Sequence, residues 1–400
     1  MNIVIVVKHA FPYGGAEMNR IISYAKWIVA KGHKVNVLCL QPTEKEGSVL
    51  NKESRGTFEG IDFIYPAGTT IWPDKGRSYL RKIYLWTKSY LNTARIIYKN
   101  RKSISVVMAY SAEIKLFNYL NRVCKPLHIP TVVERSEYPD IFKHREDLEK
   151  TAKGRKYIAE SEDAFKKFDG WILETQTLAN FYMPLAKKDA KLCIIPMTVE
   201  SERFSNVAKQ ESKYGKYIGY CGNMRDYDGV SILIEAFGLI AQLFPDVNLA
   251  LVGSSPDMEG QKKLVDKLGI QDRVFFAGRL KRDEVPSFLA NATVLALASP
   301  TSDRACASMP CKVGEYLCTE VPVVVTSLGE LPKYLTDGVD SYLSAPDSAE
   351  AFAARLSEVL SDPSKAEAVG KEGRVTAMRE FDGEMQAERI IHFFEELTCV

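Results

Sequence analysis

Short apolar runs alternate with amphipathic stretches along most of the chain. The first run, Asn2–Val7, reads as a buried strand. "PYGGAE", Pro12 to Glu17, supplies a glycine turn, and Ile21, Ile22, Ala25 and Ile28 then recur at helical spacing until Gly32 stops the pattern. "HKVNVLCL" is the next strand. This is a strand–helix–strand unit with a glycine loop at the carboxyl end of its first strand, as in a doubly wound sheet. Further strands are expected at "FEGIDFIYP", "ISVVMAY", "PTVVERS", "DGWILET" and "KLCIIPM". A second series opens at "GKYIGYCGNM", with Tyr217 to Cys221 as its first strand. The helix "SILIEAFGLIAQLF" follows, then "VNLALVG", a helix around Gln261–Leu268, "RVFFAG" and "TVLALAS".

In "MPCKVGEYLCTEVPVVVT", Met309 to Thr326, Pro310 suits a helix start, Val313, Tyr316 and Leu317 give one apolar face, and Pro322 blocks continuation before a buried strand. A final helix is expected near Gln386–Leu397. The segment 201–215 is polar and poor in pattern, which makes it the expected linker. The expected organisation is a first α/β domain over 1–200, a linker over 201–215 and a second α/β domain over 216–380. A C-terminal helix over 381–400 is expected to pack back on the first domain. Each domain is expected to hold a parallel sheet.

A chain of 400 residues has ample sequence for two large cores. A net charge of +2 does not mark a nucleic-acid binder. Eight cysteines are scattered without zinc-ligand spacing, so a reduced, metal-free protein is expected. No apolar run is long enough to span a bilayer, and the N-terminal run is too short for a signal peptide.

Lys312 is unusual chemistry for the start of a helix, where the dipole favours negative charge. A bound anion would account for it, accepting N–H groups from Cys311 and Lys312. Gly14 and Gly15 permit close backbone approach at another helix start.

In family order, "GGAEMNRIISYAKWIVAKGHKVNVL", "IIPMTVESERF", "YIGYCGNMRDYDGVSILIEAF", "LALVGSSPD", "RVFFAGRLKRDEVPSFLANATVLALAS" and "CKVGEYLCTEVPVVVTSLGELPKYLTDGVDSYL" resemble a GT-B-fold glycosyltransferase of the family 4 type. The resemblance runs over nearly the whole chain. It implies two Rossmann-like doubly wound domains facing a central cleft. It also implies sugar transfer from a nucleotide sugar, with retention at the anomeric carbon and without a metal. UDP is the expected carrier. No other cofactor is expected.

By the same resemblance, Gly14, Gly15, Arg225, Arg279, Cys311 and Lys312 would line the donor site, and Glu315 would hold the ribose hydroxyls. A carboxylate suits that task because it accepts two hydrogen bonds. The sequence departs from the family pattern in places. Ala307 replaces the first glutamate of the paired motif, and Asn223 and Asp228 replace a basic pair. Arg225, between them, is the candidate to restore the charge. Tyr110 stands where relatives often have a histidine. Glu134 is either a general base for the acceptor hydroxyl or half of a strand-end salt bridge. Arg135 and Glu137 are acceptor-side candidates, and His9 beside the glycine loop reads as structural.

From Lys75 to Lys102 the chain carries many basic residues and no acid, interleaved with tyrosine, tryptophan, leucine and isoleucine. This reads as a basic amphipathic helix for an anionic membrane surface, or one that packs its apolar side on the first domain. The functional expectation is therefore a cytoplasmic transferase, peripheral on the inner membrane face. It would extend a lipid-linked or oligosaccharide acceptor for a capsule, O-antigen or exopolysaccharide, with no nucleic-acid partner. Two other readings share the fold: a binding or partner subunit without turnover, and a nucleotide-sugar 2-epimerase. A nicotinamide dehydrogenase is disfavoured, because the glycine loop lacks the full dinucleotide spacing.

Overall fold

The computed structural model describes residues 1–73 and 79–398. The start of the basic segment, residues 75–78, lies outside the described residues. The chain divides into two compact units, Met1–Thr198 with Gly383–Val400, and Val199–Asp382.

The strands of the first unit are β1 (Asn2–Val7), β2 (Lys34–Cys39), β3 (Glu44–Lys45), β4 (Arg55–Phe58), β5 (Ile61–Ile64), β6 (Ile71–Trp72), β7 (Val106–Tyr110), β8 (Thr131–Arg135), β9 (Gly170–Leu173) and β10 (Lys191–Ile194). Eight of them form one sheet in the order β10-β9-β8-β7-β1-β2-β5-β4, while β3 pairs with β6. β1 lies parallel between β2 and β7, with Ile3 opposite both Val35 and Val106. Its last five residues are buried, which explains why it reads as an unbroken apolar run.

One face of β1 presents Ile3, Ile5 and Val7 to a core shared with Ile21 and Ile28 of the Ala16–Ala30 helix and Ile390 and Phe394 of the Gly383–Thr398 helix. Each such aliphatic side chain contributes about 1.5–3 kcal/mol when fully buried. The C-terminal helix thus supplies part of the first unit's core.

The expected strand "FEGIDFIYP" is instead a hairpin, and β4 runs antiparallel to β5. The reason is local: Glu59 and Gly60 both adopt positive φ, 51° and 77°, the conformation a tight two-residue turn demands.

The second unit holds β11 (Lys216–Cys221), β12 (Val247–Val252), β13 (Val274–Gly278), β14 (Val294–Leu297), β15 (Val323–Thr326) and β16 (Tyr342–Ser344). All pair in parallel, in the order β13-β12-β11-β14-β15-β16. Residues 201–215, expected as a linker, belong to this unit. Ser201 and Phe204 are buried, the Ser201 hydroxyl donates to Asp382, and Arg374 donates to Ser205 Oγ at 3.1 Å. Polar composition misleads here because these polar groups are used in internal hydrogen bonds.

In each sheet the chain order reverses beside the first strand, between β1 and β7 and between β11 and β14. The carboxyl ends of strands at such a reversal are where open α/β sheets hold ligands. Most of the candidate site residues lie on these two loop clusters.

Candidate functional site

At the reversal point of the second unit, the loop after β11 meets the short helix Cys311–Leu317. Tyr316 joins them. Its hydroxyl accepts from the Cys221 N–H at 2.8 Å and lies 3.2 Å from the Cys221 carbonyl, to which it donates. Burial pushes this phenol well up, so it stays a hydroxyl. From the first turn of the same helix, Lys312 reaches back to the loop. Its ammonium pairs with Asp228 and donates to Tyr220 Oη at 3.1 Å. Asp228 also accepts the Arg225 N–H at 3.2 Å. The expected free cation at the helix mouth is therefore already matched by a carboxylate, one that stands where the family pattern has a basic residue.

Arg225 itself is exposed and donates from Nη1 to Tyr227 Oη at 2.9 Å. A second guanidinium, Arg304, lies 4.5 Å from the centre of the same ring. Arg304 comes from the Asp303–Ala307 helix and was not a sequence candidate. Only the fold brings it to Tyr227.

Glu315 lies one turn beyond Lys312, with its side chain 28% exposed. Arg203 Nη1 stands 3.7 Å from its Oε1 and 4.0 Å from Glu200 Oε1, and Arg282 pairs with Glu200. Partial burial raises the Glu315 carboxyl above its usual value, while Arg203 opposes that rise. Burial, together with the nearby Arg282, lowers Arg203. Arg203, Glu200 and Arg282 lie in the motif segments "IIPMTVESERF" and "RVFFAGRLKRDEVPSFLANATVLALAS" but were not among the candidate site residues. Arg279 is exposed just past the end of β13, and Cys311 is half-buried at the helix start.

The first unit gathers a different set. Arg20, from the Ala16–Ala30 helix, donates to Glu134 Oε1 at 2.6 Å and to the carbonyls of Ile195 and Pro196 at 2.7 and 2.5 Å. Tyr24 donates to Glu134 Oε2 at 2.7 Å, and Glu174 lies 3.6 Å from Arg20. Glu134 thus forms the strand-end ion pair, with its side chain fully buried. Arg135 is spent on Tyr182 Oη and on the carbonyls of Ser111 and Glu137.

Tyr110 is 6% exposed, its ring edge-on to His9 at 6.3 Å, and burial followed by the Glu134 charge pushes its phenol up. Glu137 lies 3.5 Å from Lys143 at the edge of this cluster. Gly14 is required sterically, because a Cβ there would stand 2.4 Å from the Ala10 carbonyl, whereas Gly15 is the N-cap of the helix.

Among the described residues, no group of three or more His, Cys, Asp or Glu side chains is arranged to hold a metal ion.

Residues 201–376 match the family model described as "Glycosyl transferases group 1". The group 1 match takes in nearly all of the second unit, including Arg225, Lys312 and Glu315. A GDP-mannose-dependent alpha-(1-6)-phosphatidylinositol monomannoside mannosyltransferase of Mycolicibacterium smegmatis is 26% identical over 49% of this chain and 54% of its own length. An N-acetyl-alpha-D-glucosaminyl L-malate synthase of Bacillus anthracis is 26% identical over 46% of each chain. The chain thus spans about half the length of the curated relatives it matches.

The likeness in fold runs further than the likeness in sequence. A sucrose-phosphate synthase from Thermosynechococcus elongatus covers 100% of both chains at a TM-score of 0.72 and 15% identity. Anabaena HepE, solved in complex with UDP and glucose, gives a TM-score of 0.69 over 99% of this chain, also at 15% identity. The fold is GT-B, built from two Rossmann-like units.

Proposed function

We propose that the protein is a glycosyltransferase that moves a sugar from a nucleotide sugar, UDP-linked, to a glycan acceptor, with retention at the anomeric carbon and without a metal. The observation that carries this reading is the group 1 match over residues 201–376, with Lys312 and Glu315 on one short helix. Support for a UDP donor comes from HepE, which was solved with UDP. The mannosyltransferase relative is named as GDP-mannose-dependent and as acting on a phosphatidylinositol mannoside, which supports a lipid-linked acceptor at a membrane face.

The bond from the anomeric carbon to the diphosphate oxygen breaks and a bond to the acceptor oxygen forms. The chain's part is mainly electrostatic. Glu315 accepts the ribose hydroxyls. Arg225 and Arg304, on either side of Tyr227, together with Lys312, meet the leaving diphosphate. Lys312 must exchange Asp228 for phosphate to do so. Glu134, enclosed by Arg20 and Tyr24, is assigned a holding role, and the departing phosphate takes the acceptor proton.

A second reading, a donor-binding subunit without turnover, draws on the Lys312–Asp228 pair, since a cation already matched by a carboxylate is less available to phosphate. The two are separated by incubating the protein with UDP- and GDP-sugars and lipid-linked oligosaccharides in the presence of a chelator. Acceptor-dependent release of nucleotide, with an α-configured product from an α-configured donor, is the expected result. Donor binding with neither transfer nor hydrolysis establishes the second reading.

A further inference from the structure

The Tyr79–Asn100 helix of the first unit carries two stripes. Inward, Leu85, Ser89, Thr93 and Ile97 recur every four residues and are buried. Outward, Leu80, Tyr84, Thr87, Leu91, Ala94 and Tyr98 recur at alternating spacings of four and three. At 3.6 residues per turn this second set runs down the opposite side of the helix. Leu80, Tyr84, Leu91 and Tyr98 leave 73, 61, 53 and 56% of their surfaces exposed. A helix on a water-facing surface ordinarily places charged and polar residues there. The apolar and aromatic residues of the basic segment therefore do not serve mainly to pack on their own unit. The inner contact is made by the inward stripe, half of it hydroxyl residues, together with Tyr90 against Tyr119 and Asn92, which donates to the Pro66 carbonyl.

The charge beside the outward stripe is of one sign. Arg81, Lys88 and Arg95 are spaced by seven, so they form a row parallel to it, and Lys99 extends the row by one turn. Residues 79–102 hold seven basic side chains and no acidic one. Lys88 Nζ lies 5.8 Å from the centre of the Tyr84 ring, and the Arg101 guanidinium 4.3 Å from that of Tyr98, so cations sit beside the outward aromatics.

We propose that this outward stripe docks the first unit on an anionic lipid bilayer. The helix would lie in the interface, with Leu80, Tyr84, Leu91 and Tyr98 at the acyl boundary and the basic row among the headgroups. A second copy of the same helix is disfavoured as occupant, because it would set seven positive charges against seven. The helix does not cross the bilayer: none among the described residues is long and apolar enough. This surface is independent of the donor site and stands whether or not the chain transfers sugar.

The test is co-sedimentation of the full chain with phosphatidylcholine vesicles that contain or lack phosphatidylglycerol. Binding is expected only where phosphatidylglycerol is present, and it is expected to weaken as salt rises. Tyr84→Ser with Leu91→Ser should lower the partition coefficient at least about tenfold, since each change removes a large apolar contact. Arg81→Gln, Arg95→Gln and Lys99→Gln should each lower it about fivefold. All these positions are exposed, and circular dichroism checks that the fold is kept. UDP titration of the same samples should be unchanged, which separates a failure of docking from a failure of the transferase reading. The proposal is overturned by absence of vesicle binding, by equal binding to both vesicle types, or by binding that neither set of substitutions reduces. It is also overturned if the chain self-associates in solution and Tyr84→Ser with Leu91→Ser abolishes that association.

Discussion

The two units each collect charged side chains at the carboxyl ends of their central strands, yet they treat them in opposite ways. In the first unit Arg20 and Glu134 are almost wholly enclosed, at 2 and 0% side-chain exposure, and carbonyl groups take up the remaining guanidinium donors. In the second unit Lys312, Glu315 and Arg203 keep 17, 28 and 17%. Arg203 stands 3.7 and 4.0 Å from its two carboxylates, longer than a direct hydrogen bond. A buried, fully satisfied pair has nothing to offer a substrate and a great deal to lose if broken. A partly exposed set, in which the Arg203 contacts are long, can trade its internal partners for ligand oxygens. The first cluster holds the unit together, and the second is poised for exchange.

The largest effect expected from this contrast is on stability. Arg20→Met leaves Glu134 buried without its cation and should cost about 3–5 kcal/mol in urea unfolding. A loss close to zero would mean that the pair is not structural. Glu315→Gln should do the reverse. Thermal unfolding should hardly move, while affinity for a nucleoside diphosphate in calorimetry should fall roughly 10- to 100-fold, as expected for losing hydrogen bonds to a charged group.

Asp228→Asn keeps the bond to the Arg225 N–H but frees the Lys312 ammonium, so UDP should bind about three- to tenfold tighter, the scale of one partly screened ion pair. Weaker binding would show that Asp228 holds Lys312 in its useful position. The smallest effect is on pH dependence. Partial burial raises the Glu315 carboxyl and Arg203 resists the rise. The ionised carboxylate accepts both ribose hydroxyls and does so more strongly than the protonated acid, so affinity should fall as pH is lowered through that raised value. Arg203→Gln removes the resisting cation and should move the fall to higher pH; an unmoved profile would assign the titration to another group.

The strand–helix alternation was legible because fully buried parallel strands such as β1 and β15 are continuous apolar runs, and because Gly32 and Pro322 punctuate them. The hairpin at Glu59–Gly60 was missed because its apolar residues continue on both sides of a turn that only backbone φ reveals. The second unit's early segment was mistaken for a linker because its polar side chains satisfy partners far along the chain, such as Asp382 and Arg374. Long-range pairing also hid the state of the candidate site. Lys312 and Asp228 were both noticed, one as a misplaced cation and one as a departure from the family pattern. Their 84-residue separation gave no sign that each is the other's partner. Arg203 and Arg304 carried no local signal at all, since an arginine in a turn or a short helix looks like any surface residue.

Calorimetric titration of UDP, without metal, into the wild type and Glu315→Gln tests the contrast most directly. Binding to the wild type that drops at least tenfold in Glu315→Gln, at equal thermal stability, is the expected result. No binding to the wild type, or equal binding to both proteins, would contradict the assignment of the second unit's exchangeable charges to a nucleotide-sugar donor.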